Sequence, residues 1–283
     1  MPPRTVLITG CTTNSLGSEM AKAYHSHGYT VIATLRNKSK SGSLSETKGI
    51  HILELEVTSP ASIRACATAV AGITGGSLDI LVNNAGVNHV IPLLDVEIED
   101  AKKTYDVNVW GMLSMAQAFA PMLMKARGTM CNVSSVSGEM VFAWAGIYSS
   151  SRAAQTRLSE TLRLELAPLG VRVVTVILGG VETQGNNPAN IPDLELPGSS
   201  HYREIIDIID RHKKTQVHQN KQNIETAARN IVGDVLSGKG WFIRRGMAST
   251  TSWVCNTFLP YGTFTWLINR ESGIERITIG GKR

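Results

Sequence analysis

Short apolar runs recur along the chain, each followed by a stretch of helical period. Val6-Leu7-Ile8 reads as a buried strand, and after a glycine-containing turn Glu19 to Gly28 follow a helical pattern. Val31 to Ala33 and Ile52 to Leu55 read as the second and third strands. Ala61 to Ile73 is a helix, with Ser59-Pro60 as its start signal. Ile80 to Val82 is a fourth strand, Glu97 to Ala126 holds two helices that part at about Asn108 to Gly111, and Thr129 to Val133 is a fifth strand. Ala145 to Leu166 forms a long amphipathic helix, and Val171 to Ile177 a sixth strand. Apolar runs alternating with helices mean βαβ units and a parallel sheet. Right-handed crossovers make that sheet doubly wound. The expected fold class is therefore α/β, a single three-layer α/β/α domain over residues 1–283. Such sheets bind ligands beyond the carboxyl ends of their strands, so the loops after each strand are the informative ones.

From Gly179 to about Gln222 the pattern degrades. Pro188, Pro192 and Pro197 interrupt it, and only Tyr202 to His212 looks helical. Residues 185–225 are expected to form a substrate lid, since proline and asparagine suit a loop that moves. Trp241 to Ile268 mixes aromatic and apolar residues with Asn256, Pro260 and Gly262. It is expected to open a C-terminal extension, 241–283, that lies on a membrane surface, covers the site or forms a subunit contact.

Composition narrows the function classes. A formal net charge of +5 over 283 residues, with no long basic run, gives no nucleic-acid surface. Cys11, Cys66, Cys131 and Cys255 show no C-x-x-C spacing and read as reduced thiols, and the seven histidines form no metal-ligating pattern, so no metal is expected. The chain runs from Met1 almost directly into its first strand and has no apolar run of about 18 residues. The expectation is a cytoplasmic protein without a transmembrane helix, with peripheral membrane contact left open.

The first loop, Thr9-Gly10-Cys11-Thr12-Thr13-Asn14-Ser15-Leu16-Gly17, is a glycine turn between strand and helix. Such a turn lets backbone N–H groups approach a pyrophosphate at the helix N-terminus, although many turns hold two glycines for geometry alone. After the second strand comes Ala33-Thr34-Leu35-Arg36-Asn37-Lys38. It lacks the carboxylate that meets the ribose hydroxyl of NAD, and Arg36 with Lys38 suits the extra phosphate of NADP. Asn83-Asn84-Ala85-Gly86 follows the fourth strand, Asn108 sits in Asp106-Val107-Asn108-Val109, Ser134-Ser135 follows the fifth strand, and Tyr148 opens the long helix. Each alone has a bland reading as turn, polar face, cap or core. Their order, each at a strand end, does not.

On these residues, together with the helix Leu158 to Leu166, the chain from Thr5 to Thr183 resembles the short-chain dehydrogenase/reductase family, with its Rossmann-type sheet. Phe258-Leu259-Pro260 through Gly273-Ile274 is also similar to the tail of fungal members near NADPH-dependent 1-acyldihydroxyacetone phosphate reductases. The resemblance implies a catalytic set of Tyr148, Ser135, Arg152 and Asn108. Tyr148 would donate a proton to the carbonyl oxygen that accepts hydride, Ser135 would hydrogen-bond the same oxygen, and Asn108 would hold a water linking the cation to solvent. It implies NADP(H) held by Gly10, Thr12, Ser15, Leu16, Gly17, Arg36, Glu56, Asn83, Ala85, Gly86, Tyr148, Arg152, Val181 and Thr183. It also implies a homodimer or homotetramer formed through the long helices.

Four positions depart from the family pattern. Arg152 replaces lysine one turn after Tyr148; it supplies the charge but does not release a proton. Ser15 replaces a glycine and would crowd the pyrophosphate, Glu56 stands where an aspartate meets the adenine, and Leu178 replaces a proline. Between Ser135 and Tyr148, the residues Met140, Val141, Phe142 and Trp144 suggest either a bulky apolar substrate or ordinary packing. Arg244 and Arg245 read as a phosphate-binding pair or as plain surface. Three functions follow. The first is an NADPH-dependent reductase of a lipophilic carbonyl compound in fungal secondary metabolism. The second is a non-redox isomerase, cyclase or dehydratase using Tyr148 and Arg152. The third is an idle binding protein, against which the presence of both Ser135 and Tyr148 argues.

Overall fold

The computed structural model describes residues 3–182, 191–214, 221–238 and 240–277. Its centre is a parallel sheet of β1 (Thr5–Thr9), β2 (Thr30–Leu35), β3 (Ile50–Glu54), β4 (Ile80–Asn83), β5 (Thr129–Ser135), β6 (Arg172–Leu178) and β7 (Phe242–Arg245), in the order β3-β2-β1-β4-β5-β6-β7. The order reverses between β1 and β4, and the crevice beyond that point is where doubly wound sheets take ligands.

Alternation along each strand fills both faces. Val6, Ile8, Val31, Ala33, Val82, Val133 and Val176 point to a core shared with α1 (Leu16–Ser26) and α7 (Ile224–Leu236). Leu7, Ile32, Leu81, Met130 and Val173 point the other way, to α2 (Pro60–Thr74), α4 (Met112–Ala126) and α5 (Gly146–Leu166). Strands buried on both sides read as unbroken apolar runs, which is why the period of two was hidden in the sequence. The expected α/β, doubly wound, three-layer architecture is the one observed.

Several elements differ from expectation. Asp106–Gly111 is not a gap between helices but a π-helical turn joining α3 (Ile98–Tyr105) to α4. Helix α7 occupies a stretch the sequence reading left unassigned, though Ile224, Ala227, Ala228, Ile231, Val232 and Val235 repeat at helical spacing and Asn223 caps it by accepting from the Thr226 N–H. Finally, residues 242–245, expected in the C-terminal extension, form the edge strand β7. Period two sends Arg244 and Arg245 to opposite faces, where each forks onto a carboxylate: Arg244 onto Glu139 at 2.7 Å, Arg245 onto Asp234 at 2.6 and 2.8 Å. These pairs occupy both forks internally, so the phosphate-binding reading of Arg244 and Arg245 falls.

After β7, α8 (Ser249–Phe258) and α9 (Tyr261–Asn269) pack beside the Glu139–Trp144 loop, with Asn269 Nδ2 donating to Val141 O and Ala143 N donating to Asn269 Oδ1. These helices leave Phe258 and Trp266 largely exposed. Among the described residues no helix is long and apolar enough to cross a membrane. The described part of the expected lid holds α6 (Ile206–Lys213), whose Ile208 and Ile209 pack with Leu194 and Ile205 against Trp144.

Candidate active site

A cavity of about 720 Å³ opens at the carboxyl ends of β1, β2, β4, β5 and β6. That is the size range of small-molecule and cofactor sites. Its floor is the first loop. Gly10 has φ +77°, and a Cβ there would lie 3.1 Å from the Ala85 Cα, so glycine suits both the backbone conformation and the close approach of the turns after β1 and β4. A Cβ on Gly17 would meet the Gly10 carbonyl oxygen at 2.5 Å, so the first turn of α1 sits on the loop by the same means. Asn14 takes the left-handed φ of +55°, which asparagine tolerates.

Ser15 does not crowd this floor with a free hydroxyl. It is the N-cap of α1: its Oγ accepts from the Ser18 N–H at 3.2 Å and donates to the Gly10 carbonyl at 2.9 Å. The hydroxyl closes the loop onto the helix and leaves the remaining N–H groups of the first turn directed to the cavity end. Thr9 stitches β1 to the next turn, its Oγ1 accepting from Asn84 N and Ala85 N at 2.9 Å each. Asn84 Nδ2 returns a bond to Thr9 O at 2.9 Å. Asn84 is a wall residue outside the expected cofactor set; its place in Asn83-Asn84-Ala85-Gly86 is the signal for it.

The expected residues divide by place. Gly10, Thr12, Ser15, Leu16, Arg36, Glu56, Ala85, Gly86, Ser135, Tyr148, Arg152 and Val181 all line the cavity, as does Leu178. Arg36 is exposed and has no partner among the described residues. Glu56 accepts from Thr58 N and Oγ1 at 3.1 and 3.0 Å. Asn83, Asn108 and Gly17 lie off the wall. Asn83 Nδ2 donates to Asn132 Oδ1 at 2.8 Å, in a buried polar chain that continues through Ser159 and Thr175 to Glu160. Thr183 lies outside the described residues. Lys221 and Thr34 also line the cavity, brought there by tertiary packing that local pattern does not report.

Asn108 is fully buried in the π-helical turn. Its Oδ1 accepts from Val87 N at 2.8 Å, and its Nδ2 donates to Val87 O at 2.9 Å and Ser151 Oγ at 3.0 Å. The side chain thus holds the loop after β4 against α5.

Ser135 ends β5, and its Oγ accepts from the Ser137 N–H at 3.2 Å. Tyr148 stands in the first turn of α5, half-buried, and the Arg152 Cζ lies 5.2 Å from its ring centroid. Arg152 is 7% exposed and donates from Nη1 to Gln155 Oε1 at 2.7 Å and to Val133 O at 3.3 Å. None of Met140, Val141, Phe142 and Trp144 lines the cavity. Trp144 is buried, donates from Nε1 to Ser272 O at 3.0 Å and meets Tyr202 edge-on, which decides for packing in its case. Cys11, beneath the first loop, is fully buried, and burial pushes its thiol up to about 12, so it stays protonated. Among the described residues no three histidine, cysteine or acidic side chains converge as a metal site.

The profile of the short chain dehydrogenase family matches residues 4–193. The chain belongs to the short-chain dehydrogenase family. As a short-chain dehydrogenase it is an oxidoreductase of a family that uses nicotinamide cofactors. It is 68% identical over 278 residues to the short-chain dehydrogenase cctT of Talaromyces islandicus, covering 98% of each chain. It is 39% identical over 199 residues to the NADPH-dependent 1-acyldihydroxyacetone phosphate reductase of Schizosaccharomyces pombe, covering 70% of this chain and 67% of that one. A short-chain dehydrogenase from Burkholderia cenocepacia in complex with NADP shares the fold, with a TM-score of 0.72 at 22% identity over 98% of each chain. The glycine cradle of Gly10 and Gly17 and the cavity beyond it fit a dinucleotide.

Proposed function

We propose that this short-chain dehydrogenase reduces a carbonyl group of a lipophilic small molecule with NADPH, in fungal secondary metabolism. The observation that carries the reading is that Ser135, Tyr148 and Arg152 open into the same cavity as the Gly10 turn and Arg36. Arg36, exposed at the end of β2 where a carboxylate would repel a phosphate, favours NADPH over NADH. Val87, Val107, Leu178 and Val181 supply an apolar wall.

A bound reduced nicotinamide supplies the hydride. Ser135 Oγ hydrogen-bonds the carbonyl oxygen as negative charge grows on it. Tyr148 Oη donates the proton, and the Arg152 charge beside the ring steadies the phenolate left behind. Arginine keeps its own proton, so reprotonation of Tyr148 runs through solvent at the cavity mouth. The protein assembles as a homodimer or homotetramer. Ile98 and Trp110, 64% and 53% exposed around a hollow on α3 and the π-helical turn, support an interface there.

The test is turnover of a panel of lipophilic ketones and aldehydes, followed by loss of NADPH absorbance. The reading expects oxidation of NADPH by at least one of them and its loss in Tyr148→Phe. A panel without any turnover would reject it. The inward-facing bonds of Arg152 favour one alternative, a non-redox isomerase, cyclase or dehydratase at the same site, which would form product with the cofactor unchanged.

A further inference from the structure

We infer that Gln155 is a positioning residue for Arg152: it anchors the guanidinium beside Tyr148 without cancelling its charge. The inference rests on the reading of Tyr148 as the proton donor. Gln155 is 1% exposed and lies one helical turn after Arg152, on the same face of α5. Its Oε1 accepts from Arg152 Nη1 at 2.7 Å, and its Nε2 donates to Val133 O at 3.2 Å. Arg152 Nη1 donates to that same carbonyl at 3.3 Å. The three groups close a ring of hydrogen bonds that fixes the guanidinium to β5, two residues before Ser135.

The fit above the guanidinium is close. A Cβ at Gly86 would fall 2.2 Å from Arg152 Nη2, so any larger residue there would push the fork from this place. A buried cation is ordinarily met by a carboxylate. Among the described residues Arg152 has no ion pair, and its Nε is buried without a partner. The anchor is a neutral amide instead. It supplies an acceptor and a fixed direction while the full positive charge remains to act on the Tyr148 ring 5.2 Å away. A lysine amine would present a point charge; the planar fork needs a second group to set its orientation, and Gln155 is that group.

Two substitutions separate anchoring from charge. Gln155→Leu removes the acceptor, and Gln155→Glu keeps it but neutralises the cation. Turnover should fall about tenfold or more in both, consistent with loss of a directed charge. Affinity for NADPH should weaken in Gln155→Leu and stay within about twofold of wild type in Gln155→Glu. Side-chain NMR of nitrogen-labelled arginine, with Arg152→Lys to assign the signal, reads the anchor directly in the cofactor-free protein. Hindered rotation of the Arg152 guanidinium is expected in the wild type and in Gln155→Glu, and free rotation in Gln155→Leu. Unchanged turnover and an unchanged Arg152 signal in Gln155→Leu would overturn the inference, as would a Gln155→Glu protein with full activity. If the wild type reduces no carbonyl compound, the functional reading fails; the NMR comparison still decides whether Gln155 holds Arg152.

Discussion

Tyr148 and Ser135 reach the cavity from different elements, one from the first turn of α5 and one from the end of β5, and their roles differ accordingly. Replacing Tyr148 by Phe removes the proposed proton donor and leaves the ring against Arg152. Turnover should drop by about a hundredfold or more with the melting temperature unchanged, as steady-state kinetics and calorimetry would read. In the proposed function Arg36 acts on the cofactor alone. Arg36→Ala should weaken NADPH binding by about tenfold, the worth of one charged hydrogen bond, and leave NADH binding unaltered in parallel titrations. At this scale much was legible in the sequence, because Gly10, Arg36 and Ser135 lie at the ends of strands that pattern alone locates and Tyr148 opens the long amphipathic helix. Asn84 and Gln155 were less legible. An amide's local sequence does not say whether it faces ligand, solvent or a buried cation; only the partner brought by the fold does. Ser15 shows the opposite error, since a side chain in a glycine position reads as an obstruction until its capping bonds to Ser18 and Gly10 are seen.

At the level of elements, the π-helical turn Asp106–Gly111 does more than join two helices. Its Asn108 ties the loop after β4 to α5 through Val87 and Ser151, and so sets the spacing between the two walls of the site. Asn108→Ala removes these bonds from the half-buried Val87 N–H and C=O and from the buried Ser151 Oγ. Urea denaturation should show a loss of about 1–3 kcal/mol, the cost of orphaned buried polar groups. In the sequence, Asn108 to Gly111 looks like a break, because a wider turn and a gap interrupt helical period alike. Strand β7 was hidden for another reason. It has four residues, two of them arginines, and reads as surface until Glu139 and Asp234 neutralise the two faces. Charged side chains are suited to an edge strand, which must discourage further pairing.

For the whole molecule, burial of thiols and a phenol makes stability depend on pH in the alkaline range. Burial pushes the Cys11 and Cys131 thiols up to about 12 and the Cys66 thiol up to about 11, from an ordinary 9.0, and raises the Tyr24 phenol in the same direction. Folding therefore keeps protons that the unfolded chain gives up above about pH 9. Stability is full below that value and is lost as pH rises towards 12, so the urea midpoint should fall between pH 8 and pH 10 (both about) at constant slope. The exposed Ile98 and Trp110 make a second expectation at this scale: light scattering should give a multiple of 30.6 kDa, reduced by Trp110→Glu. The doubly wound sheet that organises all of this was legible because its strands are buried on both faces and so stand out as apolar runs. In the proposed function the crevice at the reversal of strand order is a dinucleotide site that selects NADPH through Arg36. Fluorescence titration of the purified protein with NADPH and NADH tests it most directly. Saturable binding with NADPH at least about tenfold tighter is the predicted result; equal affinity for the two, or no binding of either, would contradict it.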